Sequence, residues 1–324
     1  MTRRDIRGPP AGRIDPGRTS MRRSLLGLVL VPALAASARA QAPSRGPELT
    51  YQQVNDWQRL HATAWRALGR GDLDRAESEF LGAARIARVE AEADPRLLAR
   101  TYADLAWVLH RRGRDAEAEP LAAWALAVRA SRFGASSIQV AQTSYTLGAI
   151  EVNLGKLDEA EGHMARALAA CEATLSPTGA GTADAIDDLA AVLVLRRRYD
   201  RARPLYDRAA AIYRAIDPDH PGQAVALDGL AGVEIEQGRL DEADAHLSRA
   251  AALLDRGRGA DPSTLAAVLN RRAGLLRRTG RPDEAARAEA RAREVVATPR
   301  AGPKPIDDIP TARPGMTPAP PPGR

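Results

Sequence analysis

The sequence predicts an all-α array of helix-turn-helix repeats, and three observations carry that prediction. Composition is the first: 324 residues with 44% hydrophobic but only 4% aromatic content suit helices built on Ala and Leu. The second is the unit from Ser137 to Leu175, where two amphipathic helical patterns flank the turn Leu154-Gly155-Lys156-Leu157 and Gly155 stops the first helix. Recurrence is the third. A small residue stands at Ala76, Ala118, Ala160, Ala202, Ala243 and Ala285, at spacings of 42, 42, 42, 41 and 42 residues. Twelve residues before each anchor come Ala64, Ala106, Gly148, Ala190, Ala231 and Ala273, and seven after it Ala83, Ala125, Ala167, Ala209, Ala250 and Ala292. Three columns in register over six copies define a repeat array.

In chain order, residues 1–40 form a basic leader. Met21-Arg22-Arg23 supplies a charged start, Leu25 to Ala36 an apolar core, and Ala38-Arg39-Ala40 a cleavage motif before Gln41. This is the pattern of an export signal over Met21–Ala40, with Met21 a candidate true start. Its apolar core is too short for a comfortable membrane span, so no transmembrane segment is expected in the mature chain. The predicted location is exported: periplasmic or secreted. Arg22-Arg23-Ser24-Leu25-Leu26 resembles a twin-arginine signal only loosely. The leader also carries the charge imbalance. Removing its eight basic and two acidic residues from the 47 and 41 of the chain leaves 39 of each. The +6 net charge and pI near 9.9 are then no argument for binding nucleic acid, and none is expected.

Residues 41–54 read as a polar linker and the start of the first helix, and 55–296 as the six-repeat array. Small side chains in each column let paired helices cross at short distance and let pairs stack on one another. Asp74, Asp158, Asp200, Asp241 and Asp283 fall in the first turn of five of the six second helices, facing unpaired amides and the positive dipole end. Asp94-Pro95, His220-Pro221 and Asp261-Pro262 read as a cap followed by Pro at the first helical position. The turn column Gly71, Gly113, Gly155, Gly238 and Gly280 is broken only by Arg197. Cys171 is the single cysteine, so no intramolecular disulfide can form; a buried small hydrophobe is expected rather than an inter-chain bridge.

These units resemble tetratricopeptide repeats, in the 42-residue variety of kinesin light chains. Ala118-Glu119-Pro120-Leu121 with Ala125-Leu126 resembles that variety's second helix, Ile186-Asp187-Asp188-Leu189-Ala190 its first, and Asp219-His220-Pro221 its linker. The resemblance covers about residues 55–296 and implies a right-handed α-solenoid whose first helices line a concave groove. It also implies a non-enzymatic protein-interaction scaffold without cofactors, holding a protein or peptide ligand in that groove.

The last copy departs from the pattern, with Arg272 in a Leu column and Glu289 in the column of Phe80, Met164, Tyr206 and Leu247, which reads as a polar terminal cap. Residues 297–324 are a Pro-rich tail expected to be disordered.

The face expected to point inward carries the residues 18, 15, 11 and 8 before each anchor. One column reads His61, Ala103, Tyr145, Asp187, Asp228 and Asn270; another begins Trp65, Trp107; Arg100, Gln142 and Asp184 come from a third. A peptide groove follows, with aromatic anchors at Trp65 and Trp107 and a carboxylate rung at Asp184, Asp187 and Asp228 for a basic or amine-bearing segment. The competing reading packs the tryptophans against neighbouring helices and leaves the aspartates solvated. His61, Trp65 and Asp104 occupy places where a carboxylate clamp needs Lys, Asn and Arg, which argues against recognition of an acidic C-terminus. None of the five histidines sits in a metal-binding spacing, and helix-surface positions are expected for them. No catalytic or metal site is expected. A structural alternative is an envelope component that self-assembles into a homo-oligomer through the solenoid end faces or Cys171.

Overall fold

The computed structural model describes residues 48–92, 94–256 and 261–297. The expected export signal, most of the linker and the Pro-rich tail lie outside the described residues. Twelve helices and no strand are found among them. They form six consecutive pairs: α1 (Tyr51–Gly69) with α2 (Leu73–Ala87), α3 (Arg96–Arg111) with α4 (Asp115–Phe133), and α5 (Ile138–Asn153) with α6 (Leu157–Thr174). Then follow α7 (Ala180–Leu195) with α8 (Tyr199–Ile216), α9 (Pro221–Glu236) with α10 (Leu240–Arg256), and α11 (Pro262–Arg278) with α12 (Pro282–Ala297). Each second helix also packs on the next first helix, and α3 touches α5 as α7 touches α9. This is the array of helix pairs that the repeat columns predict, the α-solenoid whose right-handed course the family resemblance implies. Among the described residues no helix is long and apolar enough to cross a membrane.

The small-residue columns sit where the helices meet. All six anchor alanines, Ala76 to Ala285, are 0% exposed, and the alanines of the other two columns are also buried. A larger side chain there would have to force apart helices packed to crystal-like density. Between α8 and α9 the approach is closer still. A Cβ at Gly229 would lie 2.4 Å from the Tyr206 ring, and one at Gly222 2.5 Å from Tyr213. Both partners are seven residues apart on their own helices, so two tyrosines of α8 fill two gaps in α9 where no side chain stands.

Local signals act as expected at most ends. The first-turn aspartates all fall in the first turns of second helices. His220 and Asp261 cap α9 and α11, accepting from Gly222 N–H at 3.1 Å and Ser263 N–H at 3.2 Å. Pro95 differs: it occupies the cap position of α3 rather than the first turn, and Asp94 accepts from Arg96 N–H at 3.1 Å instead. Gly155 turns at φ +75° and its four counterparts are similar, whereas Arg197 holds the same position at φ +56°. An L-residue is strained there. Arg197→Gly is expected to raise stability by about 0.5–1 kcal/mol, read as a shift in the urea midpoint without change in slope.

Two sequence expectations need correcting. Arg272 does not face the open end; its guanidinium reaches back to Asp244 of α10 at 2.6 Å. Nor are the histidines plain surface residues. His61, His110, His163 and His246 each hydrogen-bond a carboxylate, at 2.6–2.8 Å, and His220 stacks on Tyr213 at 4.9 Å between ring centres. The carboxylate partner stands on an adjacent turn or helix, a relation that helical periodicity in one segment does not display.

Candidate binding groove

Three adjoining cavities run along the face formed by the first helices. The first, of about 460 Å³, is lined by Trp65, Arg100, Asp104, Arg129, Phe133 and Gln142 among others. The second, about 270 Å³, shares Trp65, Asp104, Arg129 and Gln142 and adds Trp107 and Tyr145. The third, about 510 Å³, begins at Gln142 and Tyr145 and continues to Asp184, Asp187 and Asp188. Trp65, Arg100, Trp107, Tyr145, Asp184 and Asp187 therefore line one continuous run of cavities.

Each aromatic anchor rests on a neighbour. Trp65 remains 45% exposed while its ring meets Phe80 edge-on at 6.2 Å, and half-buried Trp107 lies 6.3 Å from Tyr145. The Arg100 guanidinium lies 5.6 Å above the Trp57 ring, a cation–π contact. Trp57 in turn donates its indole N–H to Thr101 Oγ1 at 3.0 Å. His61 is beneath this floor rather than on it: it is buried, lies tilted against Trp57, meets Phe80 edge-on, and bonds Asp104 at 2.7 Å.

The acidic end is divided. Asp184 accepts from the Tyr213 hydroxyl at 2.5 Å. Asp187 is 8% exposed, and neither of its carboxylate oxygens has a hydrogen-bond partner. Burial, then the charges of Asp188 and Asp184, push its carboxyl up to about 8; Tyr213, with its hydroxyl given to Asp184, offsets this only in part. Burial and Asp184 push Asp188 up to about 7. Asp228 is drawn elsewhere: Arg271 stands 3.3 Å from its carboxylate, opposing the upward push of burial. Asn270 is exposed on α11, away from this acidic cluster. The three aspartates that come together are Asp184, Asp187 and Asp188.

The second helices contribute side chains that inward-face periodicity does not reveal. Arg129 of α4, Cys171 of α6 and Tyr213 of α8 stand eleven residues after their anchors and all reach the cavities. Arg129 is 7% exposed, donates to Thr143 Oγ1 at 2.7 Å and to the Gln139 carbonyl at 3.2 Å, and burial pulls its pKa down. Cys171 is free and buried, and burial raises its thiol pKa. A signal existed: this column reads Ala87, Arg129, Cys171, Tyr213, Leu254 and Val296, as unrepeated as the groove columns of the first helices. Among the described residues no group of three or more His, Cys, Asp or Glu is placed to hold a metal ion.

Stacked helix pairs with an unrepeated inner face define a helical-repeat protein-interaction scaffold. The chain belongs to the tetratricopeptide repeat family, whose models match residues 98–139 and, in overlapping copies, 139–215, 186–256 and 222–297. Solved structures share the fold. BtubC (BKLC) from P. vanneervenii is 20% identical with a TM-score of 0.57, over 73% of this chain and 98% of that one. Kinesin-light-chain-type repeats from Podosopora anserina match at 20% identity and a TM-score of 0.52, over 61% and 94%. A tetratricopeptide repeat protein from Parabacteroides merdae matches at 19% and 0.52, over 75% and 79%. No curated protein matches the chain.

Proposed function

We propose that this chain is an exported, non-enzymatic scaffold that holds a partner segment along the groove from Trp65 to Asp188. The observation that carries the reading is the division of labour between columns. Residues repeated in every copy are buried between helices, whereas the side chains around the three cavities change from copy to copy. Variation confined to one accessible face is what a binding specificity requires. Export rests on the basic, apolar and A-x-A segments of residues 21–40, with the Pro-rich residues from 297 onward as a tether. The experiment is affinity capture from an envelope fraction with the unaltered protein, Trp65→Ala and Trp107→Ala. Each variant is expected to lose roughly tenfold or more of captured partner with an unchanged helical CD spectrum, since a buried Trp anchor contributes about 2 kcal/mol. Undiminished capture by both removes the groove assignment. Export is tested by the mass of the fractionated protein, which should begin at Gln41.

A further inference from the structure

The largest of the three cavities holds a carboxyl group without a partner. Asp187 lies in its wall with both oxygens buried and unpartnered, and Asp184 and Asp188 flank it. No lysine, arginine or histidine lines this cavity. Apart from Gln142, its other walls are apolar or aromatic: Tyr145 from α5, Met164 and Cys171 from α6, Tyr213 from α8, and Val225 from α9. A buried carboxylate with no partner is strongly disfavoured when ionised, unless a cation arrives.

We propose that this cavity takes the cationic side chain, arginine or lysine, of the partner segment, its charged end against Asp187 and its aliphatic stem along Met164 and Val225. The inference rests on the groove reading and adds what the groove selects. Stem and charge match the cavity separately, because a long basic side chain packs its methylenes on apolar surface while presenting its head group to acceptors. Asp228 takes no part, being held by Arg271.

The empty and filled cavities differ in protons. With Asp187 raised to about 8 and Asp188 to about 7, the empty site keeps protons near neutrality. The groups facing Asp187 add no cation: Asp184 and Asp188 on α7, Tyr206 and Tyr213 on α8, Tyr145 on α5 and Cys171 on α6. An entering guanidinium or ammonium favours the ionised carboxylate, so the Asp187 proton leaves to the buffer as the cation enters. Affinity therefore rises with pH from about 6 to about 9, below the titration of arginine.

The test uses the full chain and capped heptapeptides differing only at a central arginine, lysine or citrulline, with agmatine as a free amine. Calorimetry near pH 6 in two buffers of different ionisation enthalpy reads the released protons. Arginine and lysine peptides should bind about tenfold or more tightly than citrulline, with about one proton released near pH 6 and fewer near pH 9. Asp187→Asn should erase that preference while keeping its CD spectrum. Equal binding of arginine and citrulline peptides, an unaffected Asp187→Asn, or agmatine binding as tightly as the peptide each overturns the proposal. Partner capture that depends on Trp65 and Trp107 but not on Asp187 would sink the cation pocket and leave the groove standing.

Discussion

Replacing Asp187 by Asn is expected to stabilise the protein by roughly 3–5 kcal/mol near pH 9 and to change little near pH 4. Burial and two like charges hold the folded Asp187 carboxyl at about 8, whereas an unfolded aspartate titrates near 4. A carboxyl raised on folding contributes stability that is complete below the unfolded value and is lost as pH rises through the folded one. Asp187 therefore weakens the unaltered chain across about pH 4 to 8, and Asn, which cannot titrate, removes its share of the slope while Asp188, raised to about 7, keeps its own. Asp94 and Glu117 act in the opposite direction, held down by hydrogen bonds from Arg96 and Arg114, but they are common to both proteins and cancel in the difference. Urea midpoints measured from about pH 4 to 9 decide the matter. Parallel curves for the two proteins would mean that Asp187 is solvated.

His246→Ala is expected to lower stability by about 2–3 kcal/mol, while the pair of changes Glu234→Leu and His246→Leu leaves it within about 1 kcal/mol of the starting value or above it. Glu234 is 0% exposed, and one oxygen of its carboxylate bonds His246 Nδ1 at 2.8 Å; Arg203 stands 3.5 Å from the other oxygen without hydrogen-bonding it. Removing the imidazole alone strands a buried carboxyl, and burial already raises its pKa. The array itself suggests the double change. The same two columns hold Glu151 and His163 in the third copy, bonded at 2.7 Å, but Leu109 and Leu121 in the second and Leu193 and Leu205 in the fourth. A double-mutant cycle on urea midpoints measures the coupling; additive single effects would show that the two side chains act independently.

Much of the fold was legible because repetition converts a weak local signal into a strong one. Ala160 alone says little, but six alanines in one register announce a helix contact, and each proves buried. The binding face was partly legible. Trp65, Trp107, Tyr145 and Asp187 share inward columns, and the structure sets all four around connected cavities. Their partners were harder to foresee. His61 sinks beneath the floor because Asp104 of the next copy satisfies its ring nitrogen, and Asp228 leaves the acidic cluster because Arg271 is in reach. Both partners lie more than forty residues away in sequence, beyond any helical period.

By itself, the sequence determined the number of helix pairs, most of their turns and caps, and which residues lie between them, since these follow from spacing along a helix and from side-chain volume. Tertiary structure alone decided which charges are neutralised and which are left over. Arg129, Tyr213 and Asp188 join the groove only when second helices stack against first helices, and Asp187 is left unpartnered while the nearby Tyr213 hydroxyl bonds Asp184. Ionic and hydrogen-bond partners are chosen by distance in space, and stacking brings together residues that no period along the chain relates.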